Sequence, residues 1–162
     1  MYIKIINLLA TGFYAGYLPK APGTWGSLLA LLLYWLIFRH LPVLVYGWFI
    51  GLVLLLGIFV SGEYDRLHNT QDAAEIVIDE VAGQSLALLP LFGWNFAAFY
   101  PAWSSLLALI LFRCFDIAKP FGVNRLQDLH GGFGVMLDDV LAGLYAALVW
   151  LAVMLGVVLW PR

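Results

Sequence analysis

Four stretches of this chain carry no lysine, arginine, aspartate or glutamate: residues 21–38, 41–62, 81–112 and 140–161. A helix needs about 20 mostly apolar residues to cross the roughly 30 Å of bilayer hydrocarbon, so each stretch can supply at least one span. The third is too long for one helix and contains Pro90, Gly93, Asn95 and the pair Tyr100 and Pro101, all turn signals. Divided there, the pattern predicts helices near 24–38, 43–62, 75–90, 97–118 and 136–159. Residues 5–18 are apolar but short and interrupted by Gly12 and Gly16; they are expected to lie at the interface or to dip in and out of it. The polar run from Glu63 to Glu75 reads as a short, mostly solvated helix between two spans.

Composition agrees with this pattern. The chain is 64% hydrophobic and only 11% charged, with a mean hydropathy of +0.93, far outside the range of soluble domains. The expected fold is all-α: a multi-pass membrane helical bundle of about five spans with an interfacial or re-entrant N-terminal segment, forming a single domain over residues 1–162. No cleavable signal peptide is evident before Leu18. A net charge of −2 without a basic run argues against nucleic-acid binding. Cys114 is the single cysteine, which excludes an internal disulfide and a cysteine-based metal site, and it is expected to pack between helices. His40 and His68 have no companions and read as surface residues.

Counting basic residues orients the bundle. With the N-terminus in the cytoplasm, Lys4, Lys20, Arg66, Arg113, Lys119 and Arg125 fall inside, and only Arg39 and Arg162 fall outside. The same orientation brings four polar motifs to one face. These are the Pro-Gly-Thr turn entering the first span, Asp79 and Glu80 entering the third, Arg113 to Lys119 leaving the fourth, and Asp138 and Asp139 entering the fifth.

Ionisable residues at membrane depth are expensive and mark functional sites. Asp79, Glu80, Asp116, Asp138 and Asp139 exceed the two nearby cations, Arg113 and Lys119, and such an excess of hard oxygen ligands suits Mg²⁺ or Mn²⁺ rather than Zn²⁺. Neighbouring carboxylates on a helix point about 100° apart. One member of each pair is therefore expected to face a central site while the other serves a second ion or supports the first. Arg113, Asp116 and Lys119 follow an i, i+3 line, and Pro120 is expected to end that helix at Lys119. Arg113 can fork onto phosphate oxygens and Lys119 can act beside it as a point charge. Thr24 reads as an N-cap with Ser27 in the turn behind it, at a helix end that attracts anions. His130, in a glycine-rich turn before Asp138, can position a phosphate or act as an acid. Asp79 and Glu80 precede Gly83 much as Asp138 and Asp139 precede Gly143, and each glycine would let a neighbouring helix approach closely.

Taken together, Pro22-Gly-Thr-x-Gly-Ser27, Asp79-Glu80-x-x-Gly83, Phe112-Arg-x-Phe-Asp-x-x-Lys-Pro120 and His130-Gly-Gly-x-Gly-x-Met-x-Asp-Asp-x-x-Ala-Gly143 resemble the phosphatidylglycerophosphatase A family. The resemblance implies Mg²⁺-dependent hydrolysis of phosphatidylglycerophosphate to phosphatidylglycerol and phosphate, at the cytoplasmic side of a bacterial inner membrane. The metal ligands would come from Asp79, Glu80, Asp116, Asp138 and Asp139. Arg113 and Lys119 would hold the phosphate, with Thr24, Ser27 and His130 assisting. Attack by water is the preferred mechanism, with an aspartyl-phosphate intermediate as the other route. The expected partners are the phospholipid substrate and the bilayer, with no obligate protein partner evident.

Two other classes fit parts of the pattern. A small intramembrane cation carrier or channel subunit also needs buried carboxylates, although Arg113 and Lys119 among the acids, and acids confined to one face, disfavour it. An enzyme moving phosphate between lipid head groups is the third.

Overall fold

A computed structural model describes residues 1–92, 101–120 and 131–159. The helices are α1 (Tyr2–Ala10), α2 (Pro22–Leu36), α3 (Val43–His68), α4 (Ile78–Leu88), α5 (Pro101–Ala118) and α6 (Gly132–Leu159), and the described residues contain no strand. The all-helical bundle is as expected from the sequence. The turn predicted near 93–100 lies outside the described residues.

Three helices, α3, α5 and α6, are long and apolar enough to cross a membrane. Their outward faces carry large apolar side chains such as Leu55, Trp103 and Leu148, which only a lipid-like solvent would favour on this scale. The predicted spans at 24–38 and 75–90 correspond to α2, with 15 residues, and α4, with 11. At 1.5 Å per residue both fall short of a full crossing. Single turns of 3₁₀ helix, Phe38–His40 and Leu89–Phe92, follow them closely.

The shortness of α4 goes with its position. It packs against α2, α3, α5 and α6, and nine of its residues, Ile78, Asp79, Val81, Ala82, Gly83, Gln84, Ser85, Ala87 and Leu88, are buried. Small residues make this possible. A Cβ on Gly83 would lie 2.5 Å from the Asp139 carbonyl oxygen and 2.6 Å from the Phe112 ring, and one on Gly143 would strike the backbone of Gly83. The two glycines therefore meet at the crossing of α4 and α6, as their placement after the acid pairs implied. Such close backbone approach is how helices associate where no hydrophobic effect drives them together. Gly62 and Gly132 form a second contact, joining the end of α3 to the start of α6.

The N-terminal segment is short, as expected, and packs along α3 with Ile6 and Ala10 buried. It turns sharply through Gly12, Phe13 and Tyr14, all at positive φ, and the Ala10 carbonyl accepts a hydrogen bond from the Val77 N–H at 3.0 Å. The segment read as a separate polar helix over 63–75 is different. Instead α3 continues to His68, and the following turn is wound around the buried carboxylate of Asp65. That carboxylate accepts hydrogen bonds from Thr70 Oγ1 (2.8 Å), the Asp72 N–H (2.8 Å) and the Ala73 N–H (3.3 Å). Three donors are satisfied by one acid, so Asp65 turns inward rather than toward solvent.

Replacing Gly143 with leucine is expected to wedge α4 from α6 and to destabilise the fold by about 1–3 kcal/mol, read as a lower Tm in detergent. Gly51, whose Cβ position is open, provides the control: Gly51→Leu is expected to leave Tm unchanged.

Candidate active site

The carboxylates come from three helices that begin or end at one face of the bundle. Asp79 and Glu80 occupy the first turn of α4, Asp138 and Asp139 follow the start of α6, and Asp116 lies in the last turn of α5. One oxygen from each of Asp79, Glu80 and Asp139 lies within 4.8 Å of the others. Asp79 and Asp139 are buried, and Glu80 is nearly so. Asp79 Oδ1, Glu80 Oε2 and Asp139 Oδ2 are buried without a hydrogen-bond partner among the described residues.

This geometry corrects one expectation and decides another. Asp79 and Glu80, though adjacent on a helix, both reach the same cluster. Glu80 has an extra methylene with which to turn back, and the bare Cα of Gly23 on α2 leaves space for its carboxylate, where a side chain would collide with it. In the second pair the roles separate as expected. Asp139 joins the cluster, while Asp138 Oδ2 accepts a 2.6 Å hydrogen bond from Lys119 Nζ and its Oδ1 accepts the Asp139 N–H at 3.0 Å.

Both cations are held by acids. Arg113 Nη1 lies 2.6 Å from Asp116 Oδ2, one turn along α5, and 3.9 Å from Glu80 Oε1. Lys119 stands just past the end of α5 at φ +42, where its N–H donates to the Phe115 carbonyl at 2.9 Å. This is the helix end that Pro120 was expected to impose. Burial works against the charge of Lys119, but its bond to Asp138 prevails and raises its pKa above the ordinary lysine value. The turn organised by Asp65 brings Asp72 into the field of the site. Partial desolvation and then the charge of Asp138 push its carboxyl above the usual range.

The first predicted span starts differently from the reading of Thr24 as N-cap. The cap is Ala21, at φ +49, and Pro22 opens the helix. Proline's fixed φ and missing N–H suit that first position, which moves Thr24 inside the first turn. Ser27 is fully buried and its Oγ donates to the Gly23 carbonyl at 2.9 Å, steadying the turn beside Glu80. Thr24 faces α5 and shares a groove with Arg113. His130 lies outside the described residues.

Two buried polar residues that bear on the site escaped the sequence reading. Gln84 is fully buried one turn deeper than Glu80, with both amide atoms unpartnered among the described residues; its i+4 spacing from Glu80 was the available signal. Asp65 was the other, in a run that looked solvated because its charges are dense.

Three oxygens with unused lone pairs, an excess of negative charge and no soft ligand form a donor set that fits a hard divalent cation. With Arg113 and Lys119 alongside, the arrangement can neutralise a phosphate. In metal-free detergent, Asp139→Asn is expected to raise Tm by relieving repulsion within the cluster. Lys119→Met is expected to lower stability by roughly 1–3 kcal/mol, because it strands the buried Asp138.

Comparison with known proteins agrees with the geometry. A family model described as phosphatidylglycerophosphatase A matches residues 8–154. A phosphatidylglycerophosphatase A from Haemophilus influenzae is 38% identical over 91% of this chain and 88% of its own length. A putative phosphatidylinositol-3-phosphatase from Bacteroides thetaiotaomicron is 36% identical over 86% of this chain and 87% of its own. A phosphatidylglycerophosphatase A from Escherichia coli is 32% identical over 87% and 78%. No solved structure matches. With nearly the whole chain matched and every quoted motif inside the matched range, this protein belongs to the phosphatidylglycerophosphatase A family.

Proposed function

We propose that the protein is a Mg²⁺-dependent phosphatidylglycerophosphatase that hydrolyses the terminal phosphate of phosphatidylglycerophosphate at the cytoplasmic face of a bacterial inner membrane. The observation that carries this reading is the convergence of unpartnered oxygens from Asp79, Glu80 and Asp139 beside Arg113 and Lys119, in a chain of this family.

In this reading Asp79, Glu80 and Asp139 would hold Mg²⁺, with Asp116 and Asp138 as further carboxylates of the same cluster. When bound, the ion supplies charge neutralisation at the phosphoryl oxygens and makes water a better nucleophile at neutral pH. Arg113 presents its guanidinium to the phosphate, its direction fixed by Asp116 and Glu80. Lys119 is aimed by Asp138 in the same way. A phosphate monoester gains negative charge on its leaving oxygen as the P–O bond to glycerol breaks, and prearranged cations stabilise it without having to reorient. Thr24 and the first turn of α2 offer further donors, with Ser27 bracing that turn. His130 is assigned to phosphate positioning or protonation of the leaving group. The cytoplasmic placement rests on the distribution of basic residues.

The three relatives named above do not share one head group in their names; what those names share is hydrolysis of a lipid phosphate. The test is phosphate release by the purified protein from phosphatidylglycerophosphate and, in parallel, phosphatidylinositol 3-phosphate, with Mg²⁺ or excess EDTA. Release from the first substrate that stops in EDTA is expected. Asp139→Asn and Arg113→Ala are each expected to lower kcat by about 10²–10³-fold. Release indifferent to EDTA would remove the metal from the reading, and no release from folded protein would return attention to a cation carrier.

A further inference from the structure

A lipid phosphatase has to bring a charged head to buried carboxylates while its acyl chains stay in hydrocarbon. A route that does this needs an apolar surface open to the bilayer and a cation linked to the acids. Two apolar hollows formed by described residues bear comparison. One, among Leu9, Leu29, Phe49 and Val81, has no charged side chain in its lining and nothing with which to recognise a phosphate.

The other runs along α5, lined by Leu109, Ile110, Cys114 and Ile117, with Thr24 of α2 and Arg113 beside them. Residues 110, 114 and 117 fall on one helical face, and Ile110 and Ile117 are 51% and 73% exposed. Arg113 belongs both to this groove and to the ion pairs with Asp116 and Glu80. Arg113 thus borders an apolar, outward-facing groove along its side chain while its Nη1 is buried against the carboxylate cluster, and Thr24 borders the groove beside it. The residues from Leu109 to Ile117 extend about 12 Å along the helix axis, on either side of Arg113.

We infer that the groove between α5 and the start of α2 admits the lipid substrate sideways from the bilayer, an acyl chain lying against Ile110, Cys114 and Ile117 as the phosphate reaches Arg113. This rests on the reading of the protein as a lipid phosphatase. Cys114, expected from the sequence to pack between helices, is instead exposed in the groove, and as the chain's single cysteine it reports on the groove alone.

The experiment measures the rate of Cys114 alkylation by N-ethylmaleimide in the full chain in detergent, by intact mass. A long-chain phosphatidic acid, a lipid bearing a terminal phosphate, is expected to slow the reaction about tenfold at roughly ten times its Kd, since about one site in ten is then free. Phosphatidylcholine with the same chains and glycerol 3-phosphate are expected to protect far less. Fully alkylated protein is expected to lose more activity on long-chain phosphatidylglycerophosphate than on a water-soluble short-chain analogue. Equal alkylation rates with phosphatidic acid and phosphatidylcholine, in protein that hydrolyses phosphatidylglycerophosphate, would overturn the groove and leave the phosphatase reading intact. Selective protection in protein that hydrolyses no lipid phosphate would uphold the groove as a lipid-phosphate site and overturn the phosphatase reading instead.

Discussion

The contact of Gly83 with Gly143 is the constraint on which the rest depends. It lets α4, an 11-residue helix, sit in the middle of the bundle with α6 pressed against its backbone, and it sets the depth at which the two acid pairs face each other. Asp139 and Gly83 are in contact, so the level of the carboxylate cluster is fixed by backbone rather than by flexible side chains. A helix buried on every side has no need to span the membrane, and α4 carries polar residues, including Gln84 and Ser85, that a lipid-facing helix would not tolerate.

Electrostatics then divides the acids into two kinds. Asp116 and Asp138 are engaged by cations and direct them, whereas Asp79 and Asp139 have no ion pair among the described residues. Burying such groups is costly unless something positive is supplied. Carboxylates gathered at such a cost mark a functional site, where local stability is commonly traded for function. The glycines of α2 complete the arrangement: Gly23 makes room for Glu80 and Gly26 for Val77, so the anion-attracting end of α2 lies directly beside the acids.

Much of this was legible in the sequence because membrane chains punish stray charge. The acids, Arg113 and Lys119 stood out against apolar runs, and the alternation of the predicted spans placed their motifs at one face, as the structure does for Asp79, Glu80, Asp139 and Arg113. The glycine contact was legible for the same reason, as glycine following an acid pair on two helices. What escaped depended on side-chain length and on where helices begin. A 100° step between neighbours says nothing about Glu80 curling back toward Asp79, and the pull of Pro22 toward the first helical position outweighed Thr24 as a cap. Asp65 was hidden among solvated neighbours, since a carboxylate that organises a turn looks, in sequence, like one that faces water. The lengths of α2 and α4 were not legible, since freedom from charge does not say where an α-helix gives way to a 3₁₀ turn.

The hydrogen bond from the Val77 N–H to the Ala10 carbonyl also bears on how the chain is assembled. The two partners are far apart in sequence, and α2 and α3 lie between them. During synthesis the leading segment has its final neighbour only after those helices have emerged and α4 follows. Until then it has only α2 and α3 to pack against, and the Ala10 carbonyl lacks this partner. Closure of this segment is therefore coupled to delivery of Asp79 and Glu80 into the bundle.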